Sequence, residues 1–347
     1  MRRRRSLRLI AILAALALAG FAGRAIWANG VFSPVPTGFL GSCKILTGMP
    51  GVADIAGANG VTFVSVSSAR GPHPEDGIYV LSPAGKMTRL SGTPKNFHPR
   101  GIGIFRSPDG SGIFLMAVNR RITGRFSIDS FEVINPKTNP ALVAQGTVEG
   151  GLLTDPQDVA PVGPGTFYVS NGSAKERLVR WLASWGVMPG SNILYFNGMT
   201  FRAVVEGIYG ARGLAMTPDG AHLLVAGLTT RSLISLRRDI FTGNLTEAGS
   251  LTLPAAPDKI SLDGAGEVWV AGHANLLHWR KFAADTHARA PSQIFRVSLS
   301  GGVPQEATQV YGDDGNGIAA ASVGAASGKR LLIGSSLDDK LLDCTSN

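Results

Sequence analysis

Apolar and polar positions alternate along most of this chain in short runs that glycine-containing turns separate. The stretch ARGLAMTPDGAHLLVAG, residues 211–227, is typical, with a strand, a tight Thr-Pro-Asp-Gly turn and a second strand. The same unit recurs at spacings of roughly 45 to 65 residues, the period of propeller blades. The six units begin at Asn59, Ser107, Gly163, Ala211, Leu262 and Ser327. The pattern predicts an all-β fold, a six-bladed β-propeller.

Each turn follows another strand, and these preceding strands open alike. A polar residue comes first, then a small or polar residue, then an aliphatic one. The six openings are residues 53–55, 100–102, 157–159, 212–214, 258–260 and 316–318. Because the innermost strands of a propeller line its central channel, we expect the first residues of these strands to face one mouth of the channel. Arg212, which precedes an apolar strand, is then a channel residue.

One segment breaks the strand pattern. Residues 173–186, SAKERLVRWLASWG, place Leu178, Trp181, Leu182 and Trp185 at the spacing of one helix face. This predicts one inserted amphipathic helix over residues 174–186. Aromatic side chains beside basic ones also suit a membrane interface, so two roles remain open: a lid over the propeller or contact with lipid.

Composition limits the classes of partner. The 347 residues include 45 Gly and 20 Pro, and only 16% are charged, which argues against extensive disorder. The net charge is +9, but six arginines before residue 25 account for most of it and leave +3 on the remainder. That remainder is an ordinary surface rather than a phosphate-binding one. We therefore expect no nucleic-acid partner.

The N-terminus has the pattern of an export signal. A block of four arginines, and then Arg8, precede an apolar run from Leu9 to Gly23, which is short for a full membrane span. Residues 1–27 are predicted to be a signal peptide or an N-terminal membrane anchor, with the Sec and twin-arginine routes both open. Residues 28–41 are predicted to be a linker and residues 42–347 the propeller. This places the propeller in the periplasm or outside the cell.

The chain has two cysteines, Cys43 and Cys344, close to the two ends of the predicted propeller. In an oxidising compartment two such thiols are expected to pair. The bridge would close the last blade on the first. The alternative is two unrelated thiols.

Several stretches together resemble the paraoxonase/arylesterase family, and they extend from about Ser42 to Cys344. They are SCKILTGMPGVADIAGANGVTFVS, HPRGIGIF, DPQDVAPVGPGTFYVSN, SWGVMPGSNILYF, ARGLAMTPDG and GKRLLIGSSLDDKLLDC. The resemblance implies a six-bladed propeller with an end-to-end disulfide, similar to the gluconolactonase and strictosidine-synthase-like propellers. It also implies two calcium ions in the channel and hydrolysis of lactones and aryl esters.

Only some of the residues that bind calcium in the family are present in this sequence. Asp54 and Asp158 stand where the family holds its structural calcium, so one structural calcium is expected at most. Around the catalytic calcium, Ala53, Gln157, Arg212 and Lys259 stand where the family has ligands, and only Asp258 is kept. Arg100 replaces the histidine proposed as general base, and Arg120 aligns with a second, assisting histidine. Since a calcium ion beside Arg212 and Lys259 would be repelled, we expect the catalytic calcium to be absent or weakened.

The cationic residues Arg100, Arg212 and Lys259 allow two interpretations. They form either a pocket that binds a carboxylate or stabilises an oxyanion, or a salt-bridged plug with the channel aspartates. Gln157, Asp258 and Asn316 are the further candidate ligand-binding residues.

Among the histidines, His273 is the candidate general base, because its ordinary pKa lies near neutrality. A structural or supporting role for His273 is the alternative, and His98 could take the base role instead. The chain has neither a Gly-x-Ser-x-Gly elbow nor a Cys/His zinc pattern.

Three functional hypotheses follow. The first is an exported arylesterase- or lactonase-like hydrolase of small esters or lactones, with altered metal use. The alternative is a non-catalytic propeller that binds a small anionic ligand or a partner protein at the channel mouth. The third is a lyase or synthase, like the related calcium-free propellers.

Overall fold

The computed structural model describes residues 2–58, 60–110, 112–121, 123–136 and 138–347, and within these ranges six sheets form a β-propeller. Asn59 and Ser111, which fall in two of the predicted turn units, and Met1 of the predicted signal lie outside the described residues. The chain begins with α1 (Arg2–Ala28), β1 (Gly38–Phe39) and β2 (Gly41–Thr47). The prediction of an all-β, six-bladed propeller is confirmed.

Each blade is an antiparallel sheet, and in blades one to four its strands follow one another along the chain. Blades one and two contain β3 (Val52–Ala58), β4 (Val61–Val66), β5 (Gly77–Leu81), β6 (Met87–Arg89), β7 (Pro99–Arg106), β8 (Ile113–Arg120), β9 (Phe126–Ile134) and β10 (Ala141–Val148). Blade three contains β11 (Pro156–Pro161), β12 (Phe167–Gly172), then α2 (Arg177–Ser184), β13 (Ser191–Phe196) and β14 (Phe201–Ile208). The innermost strands come first in each blade, as the sequence predicts.

The remaining blades complete the ring. Blade four contains β15 (Ala211–Met216), β16 (His222–Gly227), β17 (Ser232–Arg238) and β18 (Leu245–Thr252). Blade five contains β19 (Ala256–Leu262), β20 (Val268–His273), then α3 (Leu276–Ala284), β21 (Ser292–Ser300) and β22 (Val303–Asp313), with β1 paired to the edge of β22. Blade six contains β23 (Val323–Ser327), β24 (Arg330–Gly334) and β25 (Lys340–Ser346), and β2 supplies its outer strand.

The hydrophobic core lies between the blades. One cluster of buried aliphatic and aromatic side chains fills each of the six blade interfaces in the described part of the chain. Between blades three and four, for example, Tyr168 and Ile193 pack against Leu223 and Val225. Since both faces of a blade bury such side chains, the strands read as apolar runs bounded by turns.

The N- and C-termini close the ring together. Strand β2 pairs with β25 in an antiparallel register that sets Cys43 opposite Cys344, and the two form a disulfide. The predicted pairing is confirmed, and the alternative of two unrelated thiols is wrong. Because the N-terminal strand completes the last blade, closure needs both ends of the propeller.

The N-terminal helix packs on the mouth side of the propeller. Its segment Arg8–Ala28 is 21 residues long and apolar enough by length and composition to cross a membrane. At its end, Ala28 and Asn29 are buried, and the Arg24 guanidinium lies between the rings of Trp27 and Tyr209. The predicted linker 28–41 thus starts with buried residues and contains β1.

Candidate functional site

Bulges at the starts of the innermost strands shape the channel mouth. The strand register shifts between Val52 and Asp54, and again between Pro156 and Asp158. A bulge re-aims the side chain and frees backbone N–H groups from the ladder. In blades one and three the bulge precedes Asp54 and Asp158, whose buried carboxylates reach the neighbouring blade.

Asp54 and Asp158 each tie two blades together. The Asp54 carboxylate accepts hydrogen bonds from the N–H of Ile55 in its own blade and of Ile102 in blade two, both at 2.9 Å. Asp158 accepts from Val159 and from Leu214 of blade four, also at 2.9 Å. Burial, and then the neighbouring Asp158, raise the pKa of Asp54 well above its ordinary value. Burial likewise raises the pKa of Asp158, although Lys259 opposes the rise.

The Lys259 ammonium lies at the centre of this acidic region. Its Nζ donates to the Gln157 carbonyl oxygen at 2.6 Å and lies 3.3 Å from a carboxylate oxygen of Asp158. The close fit explains Gly101, where an added Cβ would come within 2.6 Å of Nζ and 2.1 Å of the Asp158 carboxylate. The channel has room for this ammonium only because residue 101 has no side chain.

Serines in the second strands of blades one and three hydrogen-bond the backbone of the two arginines that open blades two and four. The Ser65 hydroxyl donates to the Arg100 carbonyl oxygen at 2.7 Å, and the Ser170 hydroxyl donates to the Arg212 carbonyl oxygen. The Arg212 guanidinium donates to the Gln157 side-chain oxygen at 2.9 Å and lies 5.8 Å from the centre of the Trp279 ring. Arg212 therefore points into the mouth.

Arg100 faces a different partner. Its guanidinium is 2.8 Å from the Asp155 carboxylate, donates to the Pro156 carbonyl oxygen and lies over the Phe126 ring. Burial lowers the pKa of Arg100, Asp155 opposes this, and the charges of Arg120 and Arg212 lower it further. Of the three predicted cations, Arg100 is thus the one already paired with an exposed carboxylate.

Asp258 and His273 form a buried pair below the mouth. The His273 Nε2 lies 3.1 Å from an Asp258 carboxylate oxygen, and His273 Nδ1 has no hydrogen-bond partner among the described residues. Burial alone would raise the pKa of Asp258, but the His273 hydrogen bond and the charges of Arg212, His273 and Lys259 hold it below its ordinary value. The His273 ring packs against Trp279, with 5.7 Å between ring centres.

Two other predicted residues lie elsewhere. His98 is buried with its Nδ1 2.6 Å from the Asp76 carboxylate, and its backbone N–H donates to Asn119. Asn316 is exposed in the loop before blade six, where its side-chain amide donates to Asp314. The opening assigned to residues 316–318 is wrong, because the innermost strand of blade six begins at Val323.

A cavity of about 630 Å³ lies over the mouth, between α2 and α3. Arg212 and Gln157 form its floor, and Leu228, Leu276 and Trp279 supply apolar wall. The four basic residues that line it are Lys175, Arg180, Arg212 and Arg280, and Asp155 is the acidic one. His273 lies behind Trp279 rather than on the cavity wall.

Sequence reasoning missed Asp155, Trp279 and Arg280. The last two lie on α3, which the sequence analysis did not predict. A helix-start signal is present at Asn275, whose side chain accepts hydrogen bonds from the N–H groups of Leu277 and His278. With Leu276, Trp279 and Arg280 spaced for one helix face, this signal could have located the helix.

The donor set is a poor fit to a calcium ion. Calcium takes six to eight oxygen ligands, whereas no group of three or more His, Cys, Asp or Glu side chains in the described ranges is arranged to hold a metal. The carboxylates of Asp54 and Asp158 are already hydrogen-bonded to backbone N–H groups, and Lys259 lies between blades where a cation would bind. A divalent ion there would be repelled by a fixed ammonium.

The chain is a six-bladed propeller, and hydrogen bonds between neighbouring blades hold the charged side chains of its channel. The sequence profile of the Arylesterase family matches residues 82–345, so this chain belongs to the arylesterase family. It is 26% identical over 242 residues to human serum paraoxonase/arylesterase 2, covering 69% of this chain and 66% of the relative. The dog protein of the same name is 25% identical over 313 residues, covering 85% of this chain and 86% of the relative.

Solved structures share the fold at low sequence identity. A gluconolactonase from Xanthomonas campestris superposes with a TM-score of 0.51 and 15% identity, over 88% of this chain and 91% of that one. An aldose sugar dehydrogenase from Streptomyces coelicolor superposes with a TM-score of 0.53 and 18% identity, over 90% and 99%. Because these propellers differ in chemistry, the fold does not choose a reaction.

Proposed function

We propose that this chain hydrolyses small esters or lactones in the cavity over the channel mouth, with fixed cations in place of a catalytic calcium ion. The observation that carries this is the buried Lys259 ammonium, 2.6 Å from the Gln157 carbonyl oxygen and 3.3 Å from Asp158. Family membership supports ester or lactone hydrolysis, and the charge arrangement supports the altered electrostatics. The retained acidic pair Asp54 and Asp158 then serves to join blades.

In this proposal Arg212 takes the electrophilic role. Its guanidinium lines the cavity, and within the described residues its hydrogen bond to Gln157 leaves further N–H donors for a ligand. It hydrogen-bonds the substrate carbonyl oxygen and stabilises the negative charge that develops there when water attacks. Lys259, buried beneath it, adds positive potential without touching the substrate.

His273 is the proposed general base. When its Nε2–H donates to Asp258, Nδ1 is the unprotonated nitrogen, and no described group occupies it. A water proton passes to Nδ1 as the water oxygen bonds to the acyl carbon. The tetrahedral oxyanion then collapses, the alcohol oxygen leaves with that proton, and the carboxylic acid that remains releases its own proton to solvent as a carboxylate. Trp279 must shift for water to reach Nδ1, since its ring packs against His273.

We further propose that α1 is kept as a membrane anchor and holds the propeller outside the cytoplasm. Burial of Ala28 and Asn29 and stacking of Phe21 on Trp181 support a retained helix. Leu178 and Trp181 of α2 are exposed beside it, which supports contact with lipid. Mass spectrometry of the membrane-bound protein tests this; an N-terminus at or after residue 28 contradicts it.

The test of the hydrolase is turnover of a panel of lactones, aryl esters and carboxylate-bearing esters by the full chain in nonionic detergent, with calcium and with chelator. We expect turnover that chelator does not change. Arg212→Gln should lower kcat/KM by about 100-fold, while Arg296→Gln, at an exposed ion pair on blade five, should leave it unchanged. Turnover that chelator abolishes contradicts the proposal.

A non-catalytic propeller is the second candidate. The buried Lys259–Asp158 pair and the Arg100–Asp155 pair support it, because paired charges can simply fill a channel. In this case the mouth binds a small anionic ligand or a partner protein. The absence of turnover across the whole panel, with and without calcium, would favour this candidate over the hydrolase.

A further inference from the structure

Helix α3 brings a second guanidinium, Arg280, to the cavity wall that Arg212 also lines. Arg280 is held from three sides. It donates to the Asn29 side-chain oxygen at the end of α1, donates to the Ser184 carbonyl oxygen in α2, and lies 4.8 Å from the Trp185 ring centre. Its position is therefore fixed before any ligand arrives.

In the described part of the chain neither guanidinium forms an ion pair with a carboxylate, although the buried Asp258 is close enough to Arg212 for the two charges to interact. Within the described ranges Arg212 and Arg280 have only neutral hydrogen-bond acceptors, which are Gln157 for the first and Asn29 and Ser184 for the second. Asp155, the acidic residue of the cavity, is paired with Arg100. Burial and then the charge of Arg212 lower the pKa of Arg280, which reports repulsion between the two cations.

Such an arrangement costs free energy in the empty protein and is relieved by an anion. Buried charges are normally paired, and a guanidinium recognises carboxylate or phosphate oxygens with two parallel hydrogen bonds. Lys175 and Arg180, which also line the cavity, add to the positive potential. The apolar wall of Leu228, Leu276 and Trp279 beside the cations suits the carbon skeleton of the same ligand.

We propose that Arg212 and Arg280 form an anion subsite that selects ligands carrying a permanent oxyanionic group, a carboxylate or a phosphate, next to the ester or lactone. This rests on the proposed function and names its substrate class. Neutral lactones and aryl esters are then poor ligands. Arg280 binds the oxyanionic group and takes no part in bond cleavage, whereas Arg212 uses separate N–H donors for that group and for the ester carbonyl oxygen.

Binding and turnover separate this inference from the hydrolase proposal. Isothermal titration calorimetry of the full chain in nonionic detergent uses three probes: monomethyl succinate, its neutral counterpart methyl butyrate, and inorganic phosphate. We expect monomethyl succinate or phosphate to bind at least tenfold more tightly than methyl butyrate. Which of the two anions binds more tightly identifies the group. Added salt should weaken the binding of the anions and leave the affinity for methyl butyrate unchanged.

Variants assign the effect to Arg280. Arg280→Gln should weaken anion binding about tenfold or more and leave the affinity for methyl butyrate unchanged. Arg280→Lys should have an anion affinity between those of wild type and Arg280→Gln. The control Arg296→Gln should bind all three probes as wild type does. The wild-type salt dependence needs no variant and remains decisive if Arg280→Gln does not fold. Equal affinity for charged and neutral probes overturns the inference even if neutral lactones are hydrolysed. Anion binding without any turnover supports the subsite and contradicts the hydrolase.

Discussion

At the scale of single residues, one ammonium organises the charges of the channel. Lys259 neutralises part of an acidic group made of Asp54, Asp158 and Asp258, and the pKa of Asp54 is raised by burial and by Asp158. Removing Lys259 leaves Asp54 and Asp158 without the ammonium that offsets their repulsion. Two neighbouring carboxylates that repel one another can be neutralised by a divalent cation, which takes oxygen ligands.

In Lys259→Met, a calcium ion from solution should therefore be able to replace the missing ammonium. We expect the free energy of unfolding to fall by about 3 kcal/mol, and added calcium to recover part of the loss. Thermal unfolding with calcium and with chelator measures both. Wild type should respond to neither, and Lys329→Met, at an exposed lysine, is the matched control. A wild-type protein stabilised by calcium would contradict the role given to Lys259.

Asp258 makes the channel sensitive to acid. Its pKa is held below the ordinary value, so the folded state binds this proton less readily than the unfolded state does. Its stabilising contribution is complete above the unfolded pKa of about 3.9 and is lost as the pH falls through the lower folded pKa. The contribution is therefore constant at neutral and mildly acidic pH.

Asp258→Asn should lower the free energy of unfolding by about 3 kcal/mol at neutral pH, because Arg212 and Lys259 lose a buried counter-charge. Denaturant unfolding of the variant and of wild type, compared from pH 8 down to pH 3, should show a constant difference that narrows only below about pH 4. A difference that already narrows near pH 6 would assign the effect to another group.

Much of the charged site was predictable from residue order alone. Asp54, Asp158, Arg212, Lys259 and Asp258 meet at the channel because each opens an innermost strand. Asn316 was misassigned because residues 316–318 share the polar, small, aliphatic order of an opening while forming a loop around the Asp313 carboxylate. The opening of blade six is uncharged, at Ala321 and Ser322 before Val323, so it carried no comparable signal.

At the scale of elements, only one of the two helices that line the cavity was predicted. Helix α2 has a strong apolar face and was predicted, and its observed range, Arg177–Ser184, is shorter than the predicted 174–186. Helix α3 has nine residues and only Leu276 and Phe282 fully buried, so its periodic signal is weak. Its place over the mouth depends on contacts distant in sequence, above all those of Asn29.

Asn29 joins all three helices. Its side-chain amide donates to the carbonyl oxygens of Ala25 and Trp185, its side-chain oxygen accepts from Arg280, and its backbone oxygen accepts from Leu276 at 2.9 Å. Asn29→Ala leaves buried polar groups without partners and should cost about 2 kcal/mol. Hydrogen exchange should accelerate in α2 and α3 and stay unchanged in the blades.

Asn197→Ala is the control for that experiment. The Asn197 side chain accepts from the N–H groups of Met199 and Thr200 in an exposed turn between β13 and β14. It should leave exchange in α2 and α3 at the wild-type rate. If Asn29→Ala also leaves both helices unchanged, the end of α1 does not position them.

At the scale of the whole molecule, closure of the ring holds the mouth in shape. A propeller with an open sixth blade would lose the links that run from Lys259 through Ser322 to Val52, which join blades five, six and one. In the first link the Lys259 N–H donates to the Ser322 carbonyl oxygen, and in the second the Ser322 hydroxyl donates to the Val52 carbonyl oxygen. The positions of the charged openings depend on both links. Closure relies on the pairing of β2 with β25 and on the Cys43–Cys344 disulfide.

Replacing both cysteines with serine should therefore weaken the ring at one seam, where β2 pairs with β25. The bridge spans 301 residues of sequence, and loss of a cross-link over so long a loop is expected to cost about 4 kcal/mol. Denaturant unfolding should show this loss, and wild type in reductant should match the double variant. Hydrogen exchange should accelerate first in β2 and β25, because their pairing alone then holds the seam. The double variant has no thiols left, so reductant must not change its stability further. Equal denaturant midpoints for wild type, reduced wild type and the double variant would mean that strand pairing alone is sufficient for closure.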